Sequence, residues 1–172
     1  MSVAMPIARY LTHPRVPVPR KGCSARGHER AEMLRLASWI GSIRRIVSRD
    51  DETKAIETAE IVARSAGANI EMREQIGENN CSSTGFLPPT NFEAVADKFV
   101  AAPDQSARGW VTALAEQARI VTAIGDVLKT YDGGDVLFVG HGAVGAVNLC
   151  RLLGVPISRT LDQPGGGGNV YA

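Results

Sequence analysis

Apolar residues recur along the chain in two rhythms: short continuous runs, and longer stripes spaced by three or four. The run Val136-Leu137-Phe138-Val139 enters Gly140-His141-Gly142, and helix-compatible residues follow at once. That pattern predicts a buried parallel strand, a tight turn, and a helix over Ala143 to Leu153. Pro6 to Leu11 predicts another strand, closed by Thr12-His13-Pro14. Arg45-Ile46-Val47 and Asn69 to Met72 are shorter strand candidates. Among the stripes, Met33, Leu36, Ala37 and Ile40 predict a helix behind an N-cap at Ser24, ended by Gly41. Ala55, Ala59, Val62 and Ala66 predict a second helix, with capping side chains between Ser48 and Asp51 and a stop at Gly67. Val111, Leu114, Ala118, Val121, Ile124 and Leu128 mark a long third helix before Gly133-Gly134.

The remaining stretches lack either period. Pro14 to Pro19 is punctuated by proline and excludes helix or central strand. Glu78 to Pro89 fills with Asn, Ser, Thr, Gly and Pro and predicts a loop. Phe92, Val95, Ala96 and Phe99 then make a short helix behind Thr90 or Asn91, and Pro103 to Gly109 is irregular again. Residues 78–109 thus predict a small lid-like insertion within one domain over 1–172. Pro164 to Gly168 predicts a flexible loop. Strands alternating with helices predict an α/β fold.

Composition narrows the function classes. A formal net charge of +1 supplies no field for nucleic acid or an anionic membrane. Three unevenly spaced cysteines make no disulfide framework and no Cys-x-x-Cys pair, so a reducing, cytoplasmic setting is expected. The uncharged run from Val136 to Cys150 is too short and glycine-rich to span a bilayer, and no secretory pattern opens the chain.

Two of the three histidines, His13 and His141, fall at the carboxyl ends of predicted strands. In open α/β sheets ligands bind beyond those ends, where helix N-termini also aim N–H groups. The two imidazoles are therefore expected to meet over one site. Either histidine alone is equally well a packing or capping residue. A metal site would want carboxylate or thiolate company, whereas prolines and arginines flank His13 and glycines flank His141, so no metal is expected. Phosphoryl transfer suits the pair better: a neutral imidazole attacks phosphorus while fixed donors and cations hold the equatorial oxygens. Gly142 and Ala143 can supply backbone N–H groups there, and Arg15 lies two residues beyond His13. Lys54 sits in the first turn of the second helix, where a cation opposes the helix dipole. A competing pattern, Gly140-His141-Gly142-Ala143-Val144-Gly145, matches G-x-G-x-x-G, with Asp162 at a ribose-contact distance downstream. Too few residues follow Gly145 to complete a dinucleotide site.

An ordered set of segments resembles the histidine phosphatase (phosphoglycerate-mutase-like) superfamily. A strand ends in His13; Cys23-Ser24-Ala25-Arg26-Gly27-His28-Glu29-Arg30-Ala31 resembles the family's Leu-Ser/Thr-x-x-Gly-x-x-Gln-Ala helix start. Val47-Ser48 and Lys54-Ala55-Ile56-Glu57-Thr58-Ala59 resemble its Ser-Ser strand end and Arg-Ala-x-Gln-Thr-Ala helix. Ile76-Gly77-Glu78 resembles its Leu-x-Glu, and Val136 to Val144 its strand and second histidine. The resemblance implies a three-layer α/β/α sandwich around a mostly parallel sheet, with no cofactor or metal. It implies His13 as nucleophile, Glu78 as the proton donor and later base, and His141 with the N–H groups behind it as oxyanion holders. Thr12 and Lys54 stand where the family carries arginines, and Pro14 where it carries glycine. Lysine supplies charge without the bidentate fork, and Arg15 is a candidate to restore a positive group beside His13. The expected partner is a phosphorylated small molecule or phosphoprotein, with no nucleic acid and no membrane. A phosphate- or phosphopeptide-binding module of the same fold, impaired in catalysis, is the alternative.

Overall fold

The computed structural model describes residues 6–13, 38–49, 53–131, 133–162 and 168–172. The predicted Ser24 helix start, the Pro14–Pro19 loop, Arg15 and the Pro164–Gly167 stretch lie outside them.

Five strands form one sheet: β1 (Ala8–Thr12), β2 (Ile43–Ser48), β3 (Asn69–Met72), β4 (Asp135–Gly140) and β5 (Val170–Tyr171). Their spatial order is β3-β2-β4-β1-β5, and every pairing is parallel except that of β1 with β5. Among the described residues four helices accompany them: α1 (Thr53–Ala66), α2 (Pro89–Ala101), α3 (Ala113–Lys129) and α4 (Gly142–Leu153). The central strands are apolar on both faces, as parallel strands covered by helices must be. Leu11, Ile43, Ile46, Leu137 and Val139 meet Ala59 and Val62 of α1 on one face. Tyr10, Val47, Val136 and Phe138 meet Ile120 and Val127 of α3 and Val144 and Val147 of α4 on the other. The result is an α/β/α sandwich.

Buried charge at the start of β4 is compensated locally. Asp135 accepts from the Ile7 N–H at 2.9 Å, from Arg9 Nη1 at 2.6 Å and from the Ser42 hydroxyl. These donors hold its carboxyl below the usual range despite burial. Arg9, which breaks the apolar run of β1, is thereby accounted for.

Three elements depart from the pattern-based reading. The helix expected to run to Ile40 does not cover its last residues: Ser38-Trp39 is a turn and Ile40–Ser42 a 3-10 segment. Helix α3 begins at Ala113, capped by the Thr112 hydroxyl, and buries Ala113, Glu116, Ile120 and Val127. Of the stripe expected there, Val111, Leu114 and Leu128 are exposed. The helix is rotated because its polar residues Glu116 and Arg119 grip the chain between Gln75 and Asn80. Finally, β5 returns antiparallel beside β1, a strand that the apolar pattern did not predict.

The 78–109 stretch packs rather than hangs. Short 3-10 turns occupy Glu74–Ile76 and Ser82–Thr84, and α2 inserts Val95 and Phe99 into the core beside Trp110. Phe92 meets Trp110 tilted and Phe99 meets it edge-on, with ring centroids 5.4 and 6.1 Å away.

Candidate active site

The register of β1 and β4 builds the site. Thr12 pairs with Gly140, so the next residue on each strand leaves the sheet edge side by side. His13 N–H donates to the Gly140 carbonyl at 2.9 Å, extending that pairing by one residue. The two imidazoles consequently meet, centroids 4.8 Å apart and planes inclined at 68°. His13 is half-buried, while His141 is fully buried.

His141 is the N-cap of α4, and the first intrahelical bond runs from Gly145 N–H to its carbonyl. The N–H groups of Gly142 and Ala143 precede that bond and have no acceptor within the helix. Tyr10 fixes this turn from below. Its hydroxyl accepts the His141 N–H at 3.2 Å and lies 3.4 Å from the His141 carbonyl. A Cβ on Gly140 would overlap the Tyr10 hydroxyl, and one on Gly145 would come within 2.8 Å of its ring. The first and third glycines of the G-x-G-x-x-G pattern, Gly140 and Gly145, thus make room for a tyrosine. Asp162, the candidate ribose contact, instead accepts from Arg159 Nε. Dinucleotide binding finds no support in this arrangement.

Glu78 joins the pair. Its Oε2 stands 3.4 Å from His141 Nδ1, and its Oε1 accepts the Asn79 N–H at 3.2 Å. The loop that carries it is clamped by α3. Arg119 donates to the carbonyls of Gln75 at 2.6 Å, Gly77 at 3.0 Å and Glu78 at 3.2 Å. Buried Glu116 takes Arg119 Nε at 2.6 Å and the Asn80 N–H at 3.0 Å. Sequence reading missed this pair, because an i,i+3 Glu/Arg couple on a helix normally reads as a solvated face.

Positive charge surrounds His141. Burial lowers its pKa first, and electrostatic interaction with His13, Lys54, Arg49 and Arg119 lowers it further. All push the same way, so His141 is a neutral imidazole far below its ordinary titration range. Lys54 is thus one of the cations whose field reaches His141. Arg49 was not anticipated: it directly follows β2, and its Cδ and Nη1 occupy the place a Cβ on Gly77 would take. Glycine there is what lets the guanidinium lie against the Glu78 loop. The Thr12 hydroxyl, by contrast, accepts the Asn169 N–H at 3.1 Å, so β5 engages it. Arg15 lies outside the described residues. Among the described residues no cluster of three metal-binding side chains occurs, and no helix is long and apolar enough to cross a membrane.

Beside the histidines lies a cavity of about 190 Å³ that shares Gly142 and Ala143 with the helix start. Asn79, next to Glu78, also lines it.

Comparison with known proteins agrees with this geometry. The family profile described as "Histidine phosphatase superfamily (branch 1)" matches residues 24–169, beginning downstream of Thr12-His13-Pro14. No curated protein matches the chain by sequence. Among solved structures, Bacillus stearothermophilus YhfR is similar with a TM-score of 0.77 at 20% identity, over 95% of this chain and 88% of that one. A mycobacterial glucosyl-3-phosphoglycerate phosphatase gives 0.76 at 16%, over 95% and 87%. A phosphoglycerate mutase from Bacillus anthracis gives 0.73 at 18%, over 95% and 87%. At such identities these structures establish the shared phosphoglycerate-mutase-like fold, while the profile match establishes the family: the chain belongs to branch 1 of the histidine phosphatase superfamily.

Proposed function

We propose that the chain is a metal-independent phosphatase that hydrolyses a phosphomonoester through a phosphohistidine on His13. The observation that supports this most directly is the meeting of His13 and His141, centroids 4.8 Å apart, with the Glu78 carboxyl 3.4 Å from His141. In the first step a ring nitrogen of His13 attacks phosphorus, and the ester oxygen departs with a proton from the acid form of Glu78. In the second, the Glu78 carboxylate takes a proton from water, which attacks the phosphohistidine and releases inorganic phosphate. Neutral His141 offers one ring N–H to a phosphoryl oxygen, and the Gly142 and Ala143 N–H groups offer two more. Lys54 and Arg49 compensate the charge of the phosphoryl group, with Arg15 and Thr12 as further candidates for its binding.

The test is turnover of p-nitrophenyl phosphate in the presence of EDTA. His13→Ala should reduce it to background, and acid quenching of the wild type should trap an acid-labile, base-stable phosphoenzyme. Turnover unchanged by His13→Ala would remove the nucleophile assignment. Phosphate binding without turnover in the wild type would favour a binding module.

A further inference from the structure

The cavity beside the histidines has a composition that selects a leaving group. Its apolar walls are Phe92, Phe99 and Val100 from α2, Trp110 just beyond the 78–109 segment, and Val147 from α4. Among the described residues lining it, one is basic, Arg159. Each nitrogen of that guanidinium already donates to a carboxylate. Nη1 donates to Asp97 at 2.8 Å, Nη2 to Glu93 at 2.8 Å, and Nε to Asp162. These bonds, the Glu93 one foremost, raise the pKa of Arg159, and three carboxylates against one cation leave the rim net negative. A cavity of about 150 Å³ lined by aliphatic and aromatic side chains accepts benzene, so about 190 Å³ admits one ring with a short substituent.

We infer that this cavity receives the leaving group, and that the preferred substrate is a phosphomonoester of an uncharged apolar alcohol carrying one aromatic ring or a branched alkyl group of that size. An ester whose alcohol bears a second anion, such as a carboxylate, meets an arginine already neutralised by carboxylates and an acidic rim, and is disfavoured. This inference rests on the phosphatase reading, because only a phosphoryl group held at His13 and His141 would point its ester oxygen toward Gly142, Ala143 and Asn79.

The experiment compares kcat/KM for 2-phenylethyl phosphate, ethyl phosphate and 3-phosphoglycerate, alkyl esters of broadly comparable leaving groups. 2-Phenylethyl phosphate should exceed ethyl phosphate by about tenfold or more, as burial of a ring predicts, and 3-phosphoglycerate should be the poorest. Phe92→Ala, at a partly exposed position, should narrow the first ratio toward one. Glu93→Gln with Asp97→Asn, which releases Arg159, should raise kcat/KM for 3-phosphoglycerate several-fold. Turnover of all three esters with no preference for the ring, or with 3-phosphoglycerate preferred, would overturn the inference and leave the phosphatase reading standing. If none turns over, calorimetric titration with the same three compounds decides. Tighter binding of 2-phenylethyl phosphate would keep the selectivity and end the catalytic assignment, whereas equal or absent binding would end both.

Discussion

Acid should destabilise this fold through His141 before any carboxylate contributes. The imidazole is fully buried, and both burial and the neighbouring cations hold its pKa well below the ordinary value. In the unfolded chain it titrates near 6.5. Above that pH both states are neutral at this position and it contributes nothing to the pH dependence. As pH falls below 6.5 the unfolded chain takes up a proton that the folded chain refuses, and stability falls by up to about 1.4 kcal/mol per pH unit. Between about pH 7.5 and pH 5 the loss integrates to about 2 kcal/mol, provided the folded imidazole stays neutral throughout. Asp135 and Glu71 act with the opposite sign of charge and lower in the scale. Their folded pKa values are depressed from 3.8 and 4.5, so their stabilisation is intact above those values and is lost only as pH falls through the folded ones. Urea unfolding at the two pH values, in buffers without phosphate so that bound anion does not contribute, should show this loss in the wild type. His141→Gln should lack about 2 kcal/mol of it. Equal losses in the two proteins would refute the claim that His141 is held neutral.

Other substitutions probe the supports of the site. Tyr10→Phe removes the hydroxyl that accepts the buried His141 N–H, and should cost about 1–3 kcal/mol in urea unfolding; a cost within error would mean that the turn is held by packing alone. Arg119→Met strands buried Glu116 and frees three carbonyls of the Glu78 loop. It should cost about 3 kcal/mol and lower kcat more than it raises KM, and an unchanged kcat would show that the clamp does not position Glu78. Glu78→Gln should slow hydrolysis of alkyl phosphates far more than that of p-nitrophenyl phosphate, whose leaving group needs little protonation. Equal slowing of both would argue against proton donation.

What the sequence disclosed about this molecule follows the range of the interactions involved. The run into Gly140-His141-Gly142 announces a strand, turn and helix because period and turn chemistry are local. The stop of α1 at Gly67, with φ at +63°, was legible for the same reason. That His13 and His141 lie on neighbouring strands is not local: it depends on the pairing of Thr12 with Gly140, residues far apart in the chain. Only the matching of two strand-end histidines hinted at it. The stripe on α3 misled because apolar spacing cannot know that Glu116 and Arg119 are needed inward, where they hold the Glu78 loop. Two-residue β5 is too short for any period, yet its neighbour Asn169 claims the Thr12 hydroxyl.

That last contact bears on how charge is supplied at the site. A threonine occupies a position where the family carries arginine, and its hydroxyl is engaged by the backbone of Asn169. It brings no charge toward the histidines. The positive groups acting on His141 come instead from three separate elements: Lys54 from the first turn of α1, Arg49 from the end of β2, and Arg119 from α3. Arg119 is tied to Glu116 and three carbonyls, so much of its charge serves the loop. Arg49 lies against Gly77, one residue from Glu78, and a larger residue at 77 would displace it. Gly77 thus matters to the phosphate-binding reading through the guanidinium it admits rather than through its own backbone. On the proposed phosphatase reading, the charge that Thr12 does not bring from β1 is supplied by Arg49 beside the end of β2 and Lys54 at the start of α1.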